Sequence, residues 1–321
     1  MPDGAAKLPA LGESGCVVTV GTFDGVHRGH AHLLRTVLRA AHERRTQSVL
    51  VTFHPHPLKV VRPEVAPPLL TTPREKVEVL AASGLDAVAL IGFDTGIADY
   101  PPRRFVEELL LHRLGMGHLV VGYDHAFGRN RSGNVDTLRA LGRELGFGVE
   151  IVEPLRGPEG PISSTRIRAA LQAGDVLAAA ESLGRPYTLV GTVVPGDGRG
   201  HDLGFPTANL ALPLADKLVP RDGIYAVRAA AAGMLLDGVL HVGPRPTFPG
   251  ASASVELHLF EFSESLYGRS VRVDFCARIR DIEAFDDVAT LVRAMERDCA
   301  AARAVLNASA GACGLSPEPL T

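Results

Sequence analysis

The chain has little cysteine. Its four cysteines are Cys16, Cys276, Cys299 and Cys313, and none stands at the spacing of a dithiol or zinc motif. Cys16 and Cys276 fall inside apolar, strand-like runs, where a small buried hydrophobe is the ordinary role. This usage fits a reducing, cytoplasmic setting. No apolar run approaches the ~20 residues of a membrane span, and MPDGAAKLPALGESG at the N-terminus lacks the apolar centre of a signal peptide. An excess of positive charge is also missing. Net charge is -3, and the first 184 residues hold 20 basic and 20 acidic side chains against 13 and 16 in the rest. Neither part has the footprint of a nucleic-acid binder. Membrane and nucleic acid are thereby set aside, and small molecules are left as the partner class. A homo-oligomer stays open.

What the chain does have is a dense stretch near its start, GTFDGVHRGH (Gly21 to His30). CVVTV precedes it and reads as a buried strand. AHLLRTVLRAAHERR follows, with Leu33, Leu34, Val37, Leu38 and Ala41 at helical spacing. The stretch is therefore a strand-to-helix turn, with His27 and His30 at the first helical turn. A helix N-terminus offers unpaired N–H groups and the positive end of the dipole to an anion. Glycine lets a phosphate approach the backbone. Imidazoles three residues apart share a helix face and can donate to one ligand. No Gly-Lys-Ser/Thr follows, so this is not a P-loop. A zinc site from His27, His30 and Asp24 has no H-E-x-x-H or paired CxxC to complete it.

Strands and helices then alternate. Strands are predicted over Gln47–Phe53, Asp86–Asp94, His118–Asp124 and Phe147–Pro154. Helices are predicted over Thr71–Gly84, Pro101–Gly115 and Val135–Gly146. That order implies a parallel sheet in a doubly wound, Rossmann-like α/β domain, with ligands at the carboxyl ends of the strands. The Gly21–His30 turn, His54–His56, Asp94 and Asp124–Arg131 all fall there. GYDHAFGRNRSGN (Gly122 to Asn134) reads either as a solvated loop or as a nucleotide-contacting one with Arg129 and Arg131 facing phosphates. PISSTRIRAALQAGD (Pro161 to Asp175) reads either as a plain capped helix or as an anion site built on its Ser-Ser-Thr start and Arg166 and Arg168.

After a boundary between Glu181 and Thr188 the pattern changes. β-runs at Thr188–Val194, Gly223–Ala231, Met234–Gly243, Ser254–Phe262 and Ser270–Arg280 follow without long helices between them. They imply a small antiparallel β-barrel, closed by one amphipathic helix from about Asp286 to Asn307 and a frayed tail. The domains expected are 1–184 and 185–309, with 310–321 as tail. In GDGRGHDLGFPTANL, the glycines Gly196, Gly198, Gly200 and Gly204 let the backbone lie against a ligand. Thr207 and Asn209 stand at strand spacing, so both point to one side. Their oxygens suit Mg²⁺ shared with nucleotide phosphates; a hairpin with a polar face is the plainer alternative. Glu256 alternates with apolar residues on its strand, and the pattern alone does not rank it above Glu261.

These residues resemble a known family. GTFDGVHRGH, FHPHP, LLTTPREK, VVGYDHAFG and ISSTRIR, in that order over about the first 180 residues, look like the adenylyltransferase module of bacterial bifunctional riboflavin kinase/FAD synthetases. RGHDLGFPTANL, GIYAV, HVGPRPTF, VELHLFEF and LYGRSVRV resemble the kinase module over nearly all of Gly184 to Asn307. The resemblance implies two reactions: phosphorylation of riboflavin by MgATP, and transfer of AMP from ATP to FMN. For adenylyl transfer it implies His27 and His30 as catalytic residues. ATP contacts would come from Gly21, Thr22, Phe23, Asp24, Gly25, Gly29, Asp124, Gly128, Arg129, Ser163, Ser164, Thr165 and Arg168. For the kinase it implies Glu256 as the base, Thr207 and Asn209 as metal ligands, and Gly198, Gly200, Gly204 and Pro206 against ATP or flavin. His201, His241, Arg245 and the Asp124-His125 pair depart from the family pattern. They bear on substrate contacts and relative rates. A different nucleotidyltransferase has no use for a P-T-A-N barrel. An inactive flavin-binding regulator has no use for an intact set of site residues.

Overall fold

The computed structural model describes residues 15–125, 127–129, 132–196, 200, 203–214, 216–244 and 254–308. Arg131, Gly198, His201, Arg245 and Cys313 lie outside the described residues. The chain divides into two compact units, the first ending at Ile162 and the second starting at Ser163.

The first unit is built on β1 (Cys16–Val20), β2 (Ser48–His54), β3 (Ala87–Gly92), β4 (Met116–Gly122) and β5 (Gly148–Val152). They form one sheet in the order β3-β2-β1-β4-β5, parallel throughout. Val17, Val18, Val49, Leu50, Val51, Val120 and Val121 are fully buried. Central parallel strands are covered on both faces, which is why these read as continuous apolar runs rather than alternating ones. The helices α1 (Arg28–Arg44), α2 (Pro57–Val61), α3 (Pro73–Ala81), α4 (Thr95–Ala98) and α6 (Val135–Leu145) join them. The segment predicted as one helix over Pro101–Gly115 is α-helical for Pro102–Arg104, here α5, and continues with π-helical turns over Phe105–His112. The adjacent pairs Phe105-Val106 and Leu109-Leu110 are all buried there, and the wider turn turns both members of each pair to the core.

The strand order locates the ligand crevice. From β1 the chain winds outward to β2 and β3; β4 and β5 lie on the other side of β1. The winding direction therefore reverses between β1 and β4, and their carboxyl ends open onto the crevice that doubly wound sheets use for ligands. Gly21–His30 leaves β1, and Gly122–Asn134 leaves β4.

A two-stranded ribbon, β6 (Arg156–Gly157) with β7 (Gly160–Pro161), ends the first unit. The second unit begins with α7 (Ser164–Ala173) and α8 (Val176–Leu183). Both fall inside the 1–184 span expected for the first domain. Here α8 packs on the barrel strands β8 (Tyr187–Val194) and β13 (Ser270–Arg280), and the Leu171 carbonyl of α7 accepts the Arg221 N–H at 2.9 Å. With β9 (Ala208–Ala211), β10 (Gly223–Ala231), β11 (Met234–Gly243) and β12 (Ser254–Leu259), these strands close a barrel in the order β10-β11-β12-β9-β8-β13. All pairs are antiparallel. Tyr225, Leu240 and Leu257 share one register row and fill the interior. The next row, His241, Glu256 and Asn209, faces the other way because side chains alternate along a strand. The C-terminal helix α9 (Val288–Ala308) packs Ala302 and Leu306 against Ala226, Phe260 and Cys276.

Candidate active sites

The turn after β1 is tightly wound. Phe23, Gly25 and Val26 have φ of 47°, 82° and 40°. Left-handed φ at a bulky and a β-branched residue costs about 1–3 kcal/mol each and persists only where surrounding contacts impose it. Those contacts are present. Phe23 and Val26 are buried in a cluster with Leu34, Leu50 and Leu80. Asp24, 1% exposed, accepts the N–H groups of Leu70 and Thr71 and the Thr71 hydroxyl at 3.0–3.1 Å. The Thr71 hydroxyl oxygen in turn accepts the Gly25 N–H at 3.0 Å. Asp24 thus fastens the turn to the segment LLTTPREK. Thr72 and Glu75 form a reciprocal capping box that starts α3.

The two histidines cap each other. His27 is the N-cap of α1, and its Nδ1 accepts the His30 N–H at 3.3 Å, while the Nδ1 of His30 accepts the His27 N–H at 3.3 Å. The rings stack 3.7 Å apart, and Phe23 lies 4.6 Å from the His30 ring. An imidazole nitrogen that accepts a hydrogen bond carries no proton, so these two bonds leave Nε2 as the donor position of each ring. Two Nε2 donors are thereby aimed from one helix terminus. A Cβ at Gly29 would stand 3.1 Å from the His27 ring and 3.3 Å from the Ile162 carbonyl oxygen, so glycine between the histidines lets the stack form.

The other expected positions take different places. Asp94 caps α4 through the Ile97 N–H, and His56 caps α2 through the Leu58 N–H. Gly122 and Asp124 stand at the carboxyl end of β4. The Arg129 guanidinium lies 3.9 Å from Asp99, both exposed. Gly128, at φ 70°, passes against Tyr100 and Pro102, where a Cβ would meet the Tyr100 oxygen at 3.2 Å. Ser163 caps α7 through the Arg166 N–H, and Ser164, Thr165 and Arg168 follow it in the second unit. Lys76 is a residue that motif reading missed. It is 7% exposed, and its Nζ donates to the Thr22 carbonyl at 2.7 Å. Burial pushes its pKa below the usual lysine value while Asp24 pulls it back up. His54 is likewise held below its usual value, by burial first and then by Lys76 and Lys59.

In the barrel, strand register brings the second set together. Glu256 is paired with Asn209 on one side and His241 on the other. Its Oε2 lies 3.5 Å from the Thr207 hydroxyl. Its Oε1 accepts the Ser254 hydroxyl at 2.6 Å and lies 3.9 Å from Nδ1 of His241. His258, on the same face of β12, is 2.9 Å through Nδ1 from the Pro206 carbonyl, which fixes the residue before Thr207. Two glycines make room. A Cβ at Gly200 would stand 2.5 Å from the Phe205 oxygen and 3.0 Å from the Thr207 hydroxyl, and one at Gly196 would stand 1.9 Å from the Asn209 amide nitrogen. Gly204 turns with φ 84°. Glu261, the competing carboxylate, pairs instead with Arg303 at 3.1 Å. Ser254, His241 and His258 could not be assigned from motifs, because their roles depend on pairing across strands.

Comparison with known proteins matches two regions of the chain to two families. Residues 11–166 match the family model described as FAD synthetase, and residues 183–306 match riboflavin kinase. The bifunctional riboflavin kinase/FMN adenylyltransferase of Escherichia coli K12 is 38% identical over 94% of this chain and 96% of its own length. The protein of the same name from Bacillus subtilis is 35% identical over 88% and 90%. A crystal structure described as a macrolide-efflux protein from Streptococcus pneumoniae superposes with a TM-score of 0.79 at 32% identity, covering 90% of this chain and 94% of that one. Among the described residues no helix is long and apolar enough to cross a membrane. The chain belongs to the family of bifunctional riboflavin kinase/FMN adenylyltransferases, with its FAD synthetase region N-terminal to its riboflavin kinase region.

Proposed function

We propose that the barrel phosphorylates riboflavin with MgATP, giving FMN and ADP, and that the α/β unit transfers AMP from a second ATP to FMN, giving FAD and pyrophosphate. The observation that carries this reading is the row Asn209–Glu256 with Thr207 at its edge. A hydroxyl attacking a γ-phosphate must lose its proton, and a carboxylate beside the phosphate-binding oxygens is placed to take it. With Oε1 of Glu256 engaged by Ser254, Oε2 on the Thr207 side is the oxygen that receives the proton from the ribityl hydroxyl.

The metal fits this donor set. Thr207 and Asn209 supply hard oxygens over a cradle that a Cβ at Gly200 would fill. Among the described residues no group of three His, Cys, Asp or Glu could hold a metal by itself. An ion bound mainly through substrate phosphates is the usual mode for Mg²⁺. When bound it offsets phosphate charge. Thr207 and Asn209 would hold it, and Gly196, Gly200, Gly204 and Pro206 would shape the loop against the nucleotide.

For adenylyl transfer, the FMN phosphate attacks the α-phosphorus of ATP and pyrophosphate leaves, so no side chain becomes a covalent nucleophile. The Nε2–H groups of His27 and His30 donate to phosphate oxygens and to the charge that grows on them. The turn Gly21–Gly25 and Gly29 bring the backbone close. Asp124, Gly128 and Arg129, on the loop after β4, complete the crevice side. Incubation with riboflavin, ATP and Mg²⁺, with flavins separated by chromatography, tests both halves. FMN followed by FAD is expected. FMN alone overturns the adenylyl-transfer half; bound but unconverted riboflavin overturns the kinase half, and added FMN that is not converted to FAD then overturns the other.

A further inference from the structure

Lys76 sits where a solvated lysine does not. Its side chain is buried beneath the turn after β1, and its Nζ donates to the carbonyl of Thr22 at 2.7 Å. The same carbonyl accepts the Thr52 hydroxyl at 3.0 Å. The α3 N-terminus sets this position: Thr72 caps it, Pro73 opens it, and Glu75 closes the capping box, which puts Lys76 one residue further in and under Thr22. The turn also contains Asp24, 1% exposed, whose electrostatic coupling to Lys76 is favourable.

A buried carboxylate inside an anion-binding turn is a problem in itself. It repels the polyphosphate that the turn is built to receive, and burial strengthens the repulsion. We propose that Lys76 is a positioning residue of the nucleotide site: held on the Thr22 carbonyl, its ammonium offsets the Asp24 carboxylate, so that the turn from Gly21 to His30 presents a non-repelling floor to ATP phosphates. This rests on the adenylyl-transfer reading of the first unit. Asp24 from the turn is the carboxylate coupled to Lys76; His54 at the end of β2 feels both Lys76 and Lys59, and Glu75, the neighbour of Lys76 in sequence, accepts the Thr72 N–H at 2.8 Å.

Steady-state FMN adenylylation by the full chain tests it, with riboflavin phosphorylation by the same chain as internal control. Lys76→Met should raise KM for ATP in adenylylation about tenfold and leave riboflavin phosphorylation unchanged. Lys76→Met combined with Asp24→Asn, which removes the charge but keeps an acceptor for Leu70 and Thr71, should recover most of the loss. Lys76→Arg should be near wild type at neutral pH. Its alkaline limb should lie at higher pH, because the wild-type ammonium loses its proton below the usual lysine value and a guanidinium does not. An unchanged KM in Lys76→Met overturns the proposal, and so does a loss that neither second variant recovers. A wild-type chain that makes no FAD fails the adenylyl-transfer reading instead. Binding of α,β-methylene ATP then decides for Lys76: an about tenfold higher Kd at one of the two sites in Lys76→Met supports it, and unchanged affinity at both overturns it.

Discussion

His27 and His30 each accept the other's backbone N–H at 3.3 Å, so the imidazoles assigned to the phosphates are also the cap of α1. Capping and chemistry are therefore coupled, and substitutions can separate them. His30→Ala removes one cap bond, at a cost of about 1 kcal/mol, and one Nε2 donor. It should abolish FAD formation and leave riboflavin phosphorylation intact. His30→Gln keeps an acceptor of the length used in capping boxes. It should restore the melting temperature but not FAD formation. Recovery of activity by glutamine would contradict a role for the imidazole.

Two glycine substitutions should strike opposite reactions. Gly29→Ala drives a methyl group into the His27 ring and Gly200→Ala drives one toward Phe205 and Thr207. The first should lower FMN adenylylation at least about tenfold, and the second riboflavin phosphorylation by a similar factor. Each variant should retain the other activity. Equal loss of both in either variant would mean that the two sites do not work separately.

Glu256→Gln keeps the size of the side chain and the Ser254 contact but removes the base. The kcat for riboflavin phosphorylation should fall by about 10²–10⁴, with KM for ATP within a few-fold. FAD formation from added FMN should continue. A variant that phosphorylates at the wild-type rate would remove Glu256 from the mechanism.

The barrel and α9 are joined by a pair with a buried carboxylate and a partly exposed guanidinium. Arg280 donates to both oxygens of Asp298 at 2.7 and 2.8 Å, and Asp298 is 5% exposed. Asp298→Ala takes the carboxylate from the partly exposed guanidinium, which keeps its bond to the Asp281 carbonyl at 2.9 Å, and should cost about 1–3 kcal/mol, read as a lower midpoint in chemical unfolding. Replacing both partners, Arg280→Met with Asp298→Leu, should cost clearly less, since no charge is left without its partner.

His118 makes the first unit sensitive to acid. It is buried, and its pKa is pushed below the usual histidine value by burial first and by Arg44 second, against the pull of Glu150. The unfolded chain binds this proton more readily, so the stability at stake is present above about pH 6.5 and lost as pH falls below it. Hydrogen exchange of β4 and β5 amides should speed up between pH 7.5 and 5.5 beyond the intrinsic pH effect. In His118→Gln that extra dependence should be smaller; an identical dependence would rule His118 out.

Much of the fold was legible because its signals are local. Predicted strands match observed ones to within a few residues: Gln47–Phe53 is Ser48–His54, and Gly223–Ala231 and Ser270–Arg280 are unchanged. The predicted α/β-then-barrel order is the one observed. The π-helical turns at Phe105–His112 were not legible, because an apolar segment has the same composition whether its turns are tight or wide. Nor did spacing separate Glu256 from Glu261. Only the pairing of β12 with β9 turns one toward Thr207 and leaves the other with Arg303.

The sequence by itself determined the periodicities, the turn chemistry and the two motif sets, since each depends on residues within about one element of one another. The tertiary structure decided which of those residues meet. Thr207 and Glu256 are 49 residues apart and meet only through barrel register; Lys76 and Thr22, 54 apart, meet only because Asp24 and the start of α3 bring the segments together. Composition carries no record of register or burial, and those two quantities set which carboxylate faces Thr207 and which lysine reaches the turn after β1.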